Sequence, residues 1–208
     1  MSTIHNFFDH INKNDDISTW IRFPVLFSTA VIFQGLIYMD NSERILKLTF
    51  TIGGTFALSR IFSKNNDGIV KFAVLSHLLN FLFNGQPWAL LKKFDLIETS
   101  NETFDYWGRK LKKTGQKHSS IAAVAIYGSQ VRGERSPTSD LDVRVISYPG
   151  FKNGLAASIV VASLRARAAL SMFPLDIYVL DDTDSLDRLR EDEDPQVLVD
   201  KENWLNSE

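Results

Sequence analysis

Three long apolar stretches crowd the first 95 residues, and regular alternation of apolar and polar positions begins only after residue 120. Residues 23–39 (FPVLFSTAVIFQGLIYM) carry no charge, with Trp20 and Arg22 in front and Asp40 behind. Counted from Trp20, this run is close to the roughly 20 residues that cross a bilayer as a helix. Residues 45–62 form a second stretch whose uncharged core, Leu48 to Ser59, is short, so Lys47 and Arg60 would have to snorkel. Gly53-Gly54 within it permits close helix packing, or weakens a soluble helix. After a turn at residues 63–68, residues 72–91 are uncharged again, but Ser76, His77, Asn80 and Asn84 recur at helical spacing. Such a stripe predicts a helix lying at an interface or packed in a bundle with one wet side, His77 being a member of the stripe rather than a ligand. Trp88, Lys92 and Lys93 finish the segment as an interfacial anchor would.

The pattern changes beyond residue 96. Residues 100–117 predict a helix with Phe104, Trp107 and Leu111 on one face and Arg109, Lys110, Lys112, Lys113 and Lys117 around the rest. An apolar run from Ile121 to Ile126 predicts a strand, and Asp140-Leu141-Asp142-Val143-Arg144-Val145 alternates as a second one. Tyr148-Pro149-Gly150 predicts a turn, and residues 156–172 an amphipathic helix with Arg165 and Arg167 turned outward. Leu175, Ile177 and Val179 alternate with Asp176 and Tyr178 as a third strand, after which Asp181 and Asp182 read as a solvated turn. An acidic stretch to Asp194 follows, then a short last strand at Val197-Leu198-Val199. The expectation is an α/β (α+β) domain, a small mixed sheet with flanking helices, over residues 96–208, preceded by an apolar helical region over residues 1–95.

Composition sharpens this division. Twelve of the 15 phenylalanines lie before residue 95, so the surplus aromatic surface belongs to the first region. A net charge of −2 gives no global basic field for nucleic acid, and no segment reads as a DNA- or RNA-binding region. Cysteine is absent, which excludes disulfides and thiolate metal sites. No basic segment precedes an apolar core near the start, so a cleavable secretory signal is not expected.

The candidate chemistry sits in residues 126–146, IYGSQVRGERSPTSDLDVRVI. On a strand, Asp140, Asp142 and Arg144 share one face while Leu141, Val143 and Val145 share the other. Carboxylates two residues apart suit hard cations, which prefer oxygen ligands. Gly128-Ser129, placed directly after a strand, offers backbone N–H groups and a hydroxyl to a phosphate. A lone Asp-x-Asp is an ordinary solvated pair and a lone Gly-Ser an ordinary turn. Their combination, with ten residues between Ser129 and Asp140, points to metal-assisted transfer at a phosphate.

This stretch resembles the signature of the DNA polymerase β-like nucleotidyltransferase superfamily, and within it the minimal nucleotidyltransferases. Gly128, Ser129, Arg132, Gly133, Ser139, Asp140 and Asp142 fall at the positions of their loop. The resemblance covers the C-terminal half only. It implies that Asp140, Asp142 and, on the later strand, Asp176 bind two magnesium ions, with Asp176 also helping to deprotonate an attacking hydroxyl. It implies that Gly128, Ser129, Arg132 and Ser139 bind the nucleotide, with Arg135 and Arg144 as further cations near phosphate, Arg144 also suited to an ion pair with a neighbouring carboxylate. The implied activity moves a nucleoside monophosphate from a nucleoside triphosphate to a hydroxyl of a protein or small-molecule acceptor, releasing pyrophosphate. A helical protein partner is a further expectation from the resemblance. The other class of function is a membrane-anchored adaptor that uses the same fold for binding without turnover. The apolar region carries the expectation of a position on the cytoplasmic face of a membrane. A hairpin of residues 20–39 and 45–62, with residues 72–91 lying along the cytoplasmic face, would hold it there; three membrane spans or a soluble helical bundle are the alternatives.

Overall fold

A computed structural model describes residues 19–36, 39–63, 68–92, 96–182 and 194–205. The acidic stretch from residue 183 to residue 193 lies outside the described residues. The elements in order are α1 (Thr19–Phe33), α2 (Asn41–Phe62), α3 (Ile69–Phe83), α4 (Gln86–Lys92), α5 (Asn101–Lys117), β1 (Ile121–Tyr127), β2 (Leu141–Ser147), α6 (Phe151–Leu170), β3 (Leu175–Leu180) and β4 (Gln196–Asp200). The expected α/β architecture with apolar helices in front is therefore the observed one.

The four strands form one mixed sheet in the order β3-β2-β1-β4. β1 runs antiparallel to β2 and β4, while β2 and β3 are parallel. The period-two pattern sends Leu141, Val143, Val145, Leu175, Ile177 and Val179 to one face, where α5 and α6 cover them. α5 begins where the Ser100 hydroxyl accepts the Thr103 N–H, and it presents Phe104, Trp107 and Leu111 to this core at helical spacing. Trp107 stacks on Phe173 at 5.1 Å, which joins α5 to the turn before β3. The basic residues of α5 lie away from this core, with Arg109, Lys112, Lys113 and Lys117 exposed. On the opposite face a smaller cluster of Ala123, Ile146 and Leu180 packs with Trp204 and Leu205, and the rest of that face holds the polar side chains of β2 and β3.

Among the described residues β3 ends the sheet, and no described strand neighbours the backbone groups on its outer side. The apolar region supplies their partners. Glu43 at the start of α2 accepts the Val179 N–H at 2.9 Å, and Asp40 accepts the Asp181 N–H at 3.0 Å. The Asp181 carboxylate in turn accepts the Ser42 N–H at 3.0 Å. Arg165 of α6 donates to both Glu43 and the Ile177 carbonyl, and the Arg165–Glu43 ion pair is buried. Side chains thus do the work of a fifth strand on an edge that would otherwise invite pairing. Arg165 is therefore not turned outward as its place on an amphipathic helix suggested, and Asp181 is not a solvated turn residue; both serve this edge. Arg167 does face solvent.

The apolar helices differ from their expected arrangement in three ways. The first stretch stops being helical at Phe33, where Gln34 takes a positive φ, and the third breaks at Asn84-Gly85 into α3 and α4. The polar stripe of α3 does not face water. Ser76 is buried and donates to the Thr51 carbonyl, Asn80 donates to the Thr51 hydroxyl, and His77 bonds the Val31 carbonyl. Finally, residue 40 lies against the sheet, where Asp40 accepts the Asp181 N–H. α2 pairs with α3 rather than with α1.

Candidate active site

The open face of the sheet brings the expected residues together at the C-terminal end of β1 and the N-terminal ends of β2 and β3. Asp142 lies directly opposite Asp176 in the parallel register, and Arg144 opposite Tyr178. Across the antiparallel ladder, Tyr127 stands opposite Asp142. Because side chains alternate, these five share one face.

β1 runs into a single 3-10 turn, Gly128–Gln130, in which the Val131 N–H bonds back to the Gly128 carbonyl at 3.1 Å. Gly128 has φ +79°, and a Cβ there would collide with the Asp142 carboxylate. Only glycine lets the chain turn left-handed and pass this close to an acid. The loop is then folded on itself: Glu134 N–H bonds the Ser129 carbonyl at 2.9 Å, and Ser139 accepts the Ser136 N–H at 2.9 Å. Ser139 is thus a loop-closing residue directly before Asp140.

The carboxylates dominate the electrostatics. Burial pushes the Asp142 carboxyl well above its ordinary range, and the nearby negative charges of Asp140 and Asp176 push it further; Arg144 opposes them. A hydrogen bond with Asp176 adds to the upward shift. Arg144 approaches Asp176 at 3.9 Å and lies 5.0 Å from the centre of the Tyr178 ring. The expected ion pair of Arg144 with a neighbouring acid is therefore present. Arg165 lies over the same Tyr178 ring at 5.1 Å, so one aromatic ring separates the arginine beside Asp176 from the arginine of the β3 edge. Burial also raises the Tyr178 and Tyr127 phenols.

Two loop arginines make contacts within the loop and to α5. Arg132 pairs with Glu134 at 2.8 Å on the exposed loop, and Arg135 donates to Asn101 and lies over the Phe104 ring. Neither is directed to the carboxylates by these contacts. Among the described residues no three acids or histidines converge tightly enough to enclose a cation by themselves. Mutually repelling carboxylates beside a glycine turn nonetheless have the chemistry of a magnesium site that is completed by substrate phosphates and water, the usual way this ion is held. Tyr127 and Tyr178 were the missed neighbours of the site. The strand period could have found Tyr178, two residues after Asp176 on the same face.

Residues 109–187 match the family model described as Polymerase beta, Nucleotidyltransferase. This segment is a polymerase-beta nucleotidyltransferase domain. The matched span includes the glycine turn, Asp140, Asp142 and Asp176, and it leaves β4 and the apolar helices outside. No curated protein and no solved structure matches the chain. Within the nucleotidyltransferase domain Asp142 and Asp176 lie on β2 and β3 and Asp140 directly before β2, while α2 supplies part of the sheet edge.

Proposed function

We propose that the protein is a metal-dependent nucleotidyltransferase that moves a nucleoside monophosphate from a nucleoside triphosphate to a hydroxyl of a protein or small-molecule acceptor. The observation that carries this reading is the direct opposition of Asp142 and Asp176 across β2 and β3, with Gly128 pressed against Asp142. Asp140, Asp142 and Asp176 would hold two magnesium ions, which when bound supply charge neutralisation at the phosphates. The turn at Gly128 and Ser129 would offer backbone N–H groups and one hydroxyl to a phosphate beside the acids. Asp176 accepts the proton of the acceptor hydroxyl as its oxygen forms a bond to the α-phosphorus. The bond from that phosphorus to the bridging oxygen breaks, and pyrophosphate leaves with the electron pair. Arg144, held beside Asp176, offsets negative charge that accumulates as the substrate enters. Arg132 and Ser139 act by shaping the loop in this account rather than by touching phosphate.

The test is transfer from each α-labelled nucleoside triphosphate, with magnesium or manganese, to purified protein and to fractionated acceptors. Labelled product that disappears in chelator and in Asp142→Asn supports the reading. Nucleotide binding without any transfer, unchanged by Asp176→Asn, would favour the adaptor instead, in which Arg144 neutralises Asp176 permanently.

A further inference from the structure

We propose that the α2–α3 hairpin is embedded in a lipid bilayer, entered from the end that is bonded to the catalytic sheet. This inference stands apart from the transferase reading and rests on which side chains the helices hide. Along α2 and α3 most of the hidden side chains are polar; the apolar exceptions are Leu46 and Phe81, the latter packed on Leu26 and Leu90 of α1 and α4. Lys47, Thr55 and Ser59 are buried and Thr51 half-buried, one turn apart along α2, and Ser76 and Asn80 of α3 bond to the Thr51 backbone and hydroxyl. Gly54 makes this close approach possible, since a Cβ there would run into the Ser76 hydroxyl. The outward positions are apolar instead: Phe50, Ile52 and Phe56 on α2, and Val74, Leu78 and Leu82 on α3, are all exposed. A helix pair in water hides its apolar side; one in lipid hides small and polar residues and turns its apolar side out.

The breadth of the apolar surface identifies what covers it. At about 100° per residue, Phe50 and Ile52 point roughly 160° apart, to nearly opposite sides of α2. The exposed positions of α3 from Val70 to Phe83 sweep about 220° around its axis. A docked protein covers one face of a helix, whereas acyl chains surround it. Only 22% of the most apolar 18 residues of α2 are buried, whereas the core helix of a water-soluble fold is mostly buried. No charge interrupts Leu48 to Ser59. Those residues rise about 18 Å, enough to pass a bilayer midplane about 15 Å from the hydrocarbon edge. Arg60 and Lys71 are exposed at the far end, where long side chains can reach polar surroundings. At the near end, Asp40, Ser42 and Glu43 bond directly to β3 and the residue after it, so the hairpin holds the active site at a fixed height and tilt.

The absence of native cysteine makes a direct test possible. Full-length Phe50→Cys, Ile52→Cys, Leu78→Cys and Gln116→Cys, each labelled with an environment-sensitive fluorophore, are reconstituted into phosphatidylcholine–phosphatidylglycerol vesicles with or without spin-labelled acyl chains. Probes at 50, 52 and 78 should all emit as in hydrocarbon and be quenched several-fold more than the probe at 116, on exposed α5. Quenching at 52 without quenching at 50 would overturn immersion, because one side would then be covered by something other than lipid. Shielding of all three probes in a lipid-free, detergent-free oligomer would overturn it too, making the surface a contact between protein chains. Neither outcome bears on nucleotide transfer, which is measured separately.

Discussion

At the scale of single residues, the consequential feature is crowding around Asp142. Asp142→Asn should abolish metal-dependent transfer while leaving the fold intact, because it keeps the shape and removes one of the mutually repelling charges. The same crowding predicts a pH dependence. The folded carboxyl binds its proton more tightly than the ordinary value of 3.8 would give, so protonation favours the folded state. The stabilisation it contributes is complete below that ordinary value and is lost as pH rises through the raised folded value. In chelator, the melting temperature of the wild type should therefore fall more than that of Asp142→Asn between acid and neutral pH. Magnesium should reverse the difference at neutral pH and lose its effect as the carboxyl takes up its proton. Parallel melting curves for the two proteins across that range would contradict this. The glycine turn gives a second comparison. Gly128→Val combines an unfavourable positive φ with a collision against Asp142, and should remove nucleotide binding. Ser129→Ala deletes one hydrogen bond of about 1 kcal/mol and should weaken binding only severalfold. Arg132→Ala should change affinity less than either, since that side chain already pairs with Glu134. Calorimetric titration of the three variants ranks them, and equal losses would mean that the turn does not hold phosphate.

At the scale of elements, the strands announced themselves and the edge contacts did not. Period-two alternation was enough to place Asp142 and Asp176 on one face, because it reports burial within a strand. Register between strands followed from matching core faces, and the observed pairing of Leu141 with Leu175 has that form. Arg165 was misjudged for an equally physical reason. Its helix sequence shows an arginine among alanines, which reads as a solvated position, whereas its partner Glu43 lies 122 residues away on a helix that composition alone describes as apolar. Long-range pairs of this kind leave no local signal. They carry a clear energetic consequence, however. Glu43→Ala leaves a buried guanidinium and the Val179 N–H without their carboxylate, and should cost about 3–5 kcal/mol of stability. Replacing both partners with apolar residues, Glu43→Leu with Arg165→Met, should restore much of the loss. Unfolding in urea, in a mild detergent, reads both effects. A double variant no better than the single one would show that the Val179 N–H and Ile177 carbonyl, rather than the stranded charge, set the cost.

At the scale of the whole molecule, the sequence reads as two regions, and their mutual dependence is visible only in three dimensions. The sequence shifts from phenylalanine-rich helices to an alternating sheet near residue 96. The polar stripe of Ser76, His77 and Asn80 was legible too, but not its direction, because a periodic stripe fixes a face without saying whether water or another helix meets it. The family match begins at residue 109, so a fragment of residues 96–208 would look self-sufficient by homology. The edge of β3 argues otherwise. That fragment keeps Arg165 but loses Glu43, and it keeps the Val179 and Asp181 N–H groups but loses the carboxylates that accept them. An uncompensated cation and an uncovered strand end are then exposed together at the sheet's edge. Residues 96–208 alone should therefore aggregate or unfold without cooperativity, and lose transfer activity that the full chain retains in detergent. Adding Arg165→Met to the fragment should recover part of its cooperative unfolding, since the stranded charge is gone while the open edge remains. If the wild-type fragment instead unfolds as cooperatively as the full chain, at the same urea concentration, the apolar region contributes nothing to the stability of the sheet.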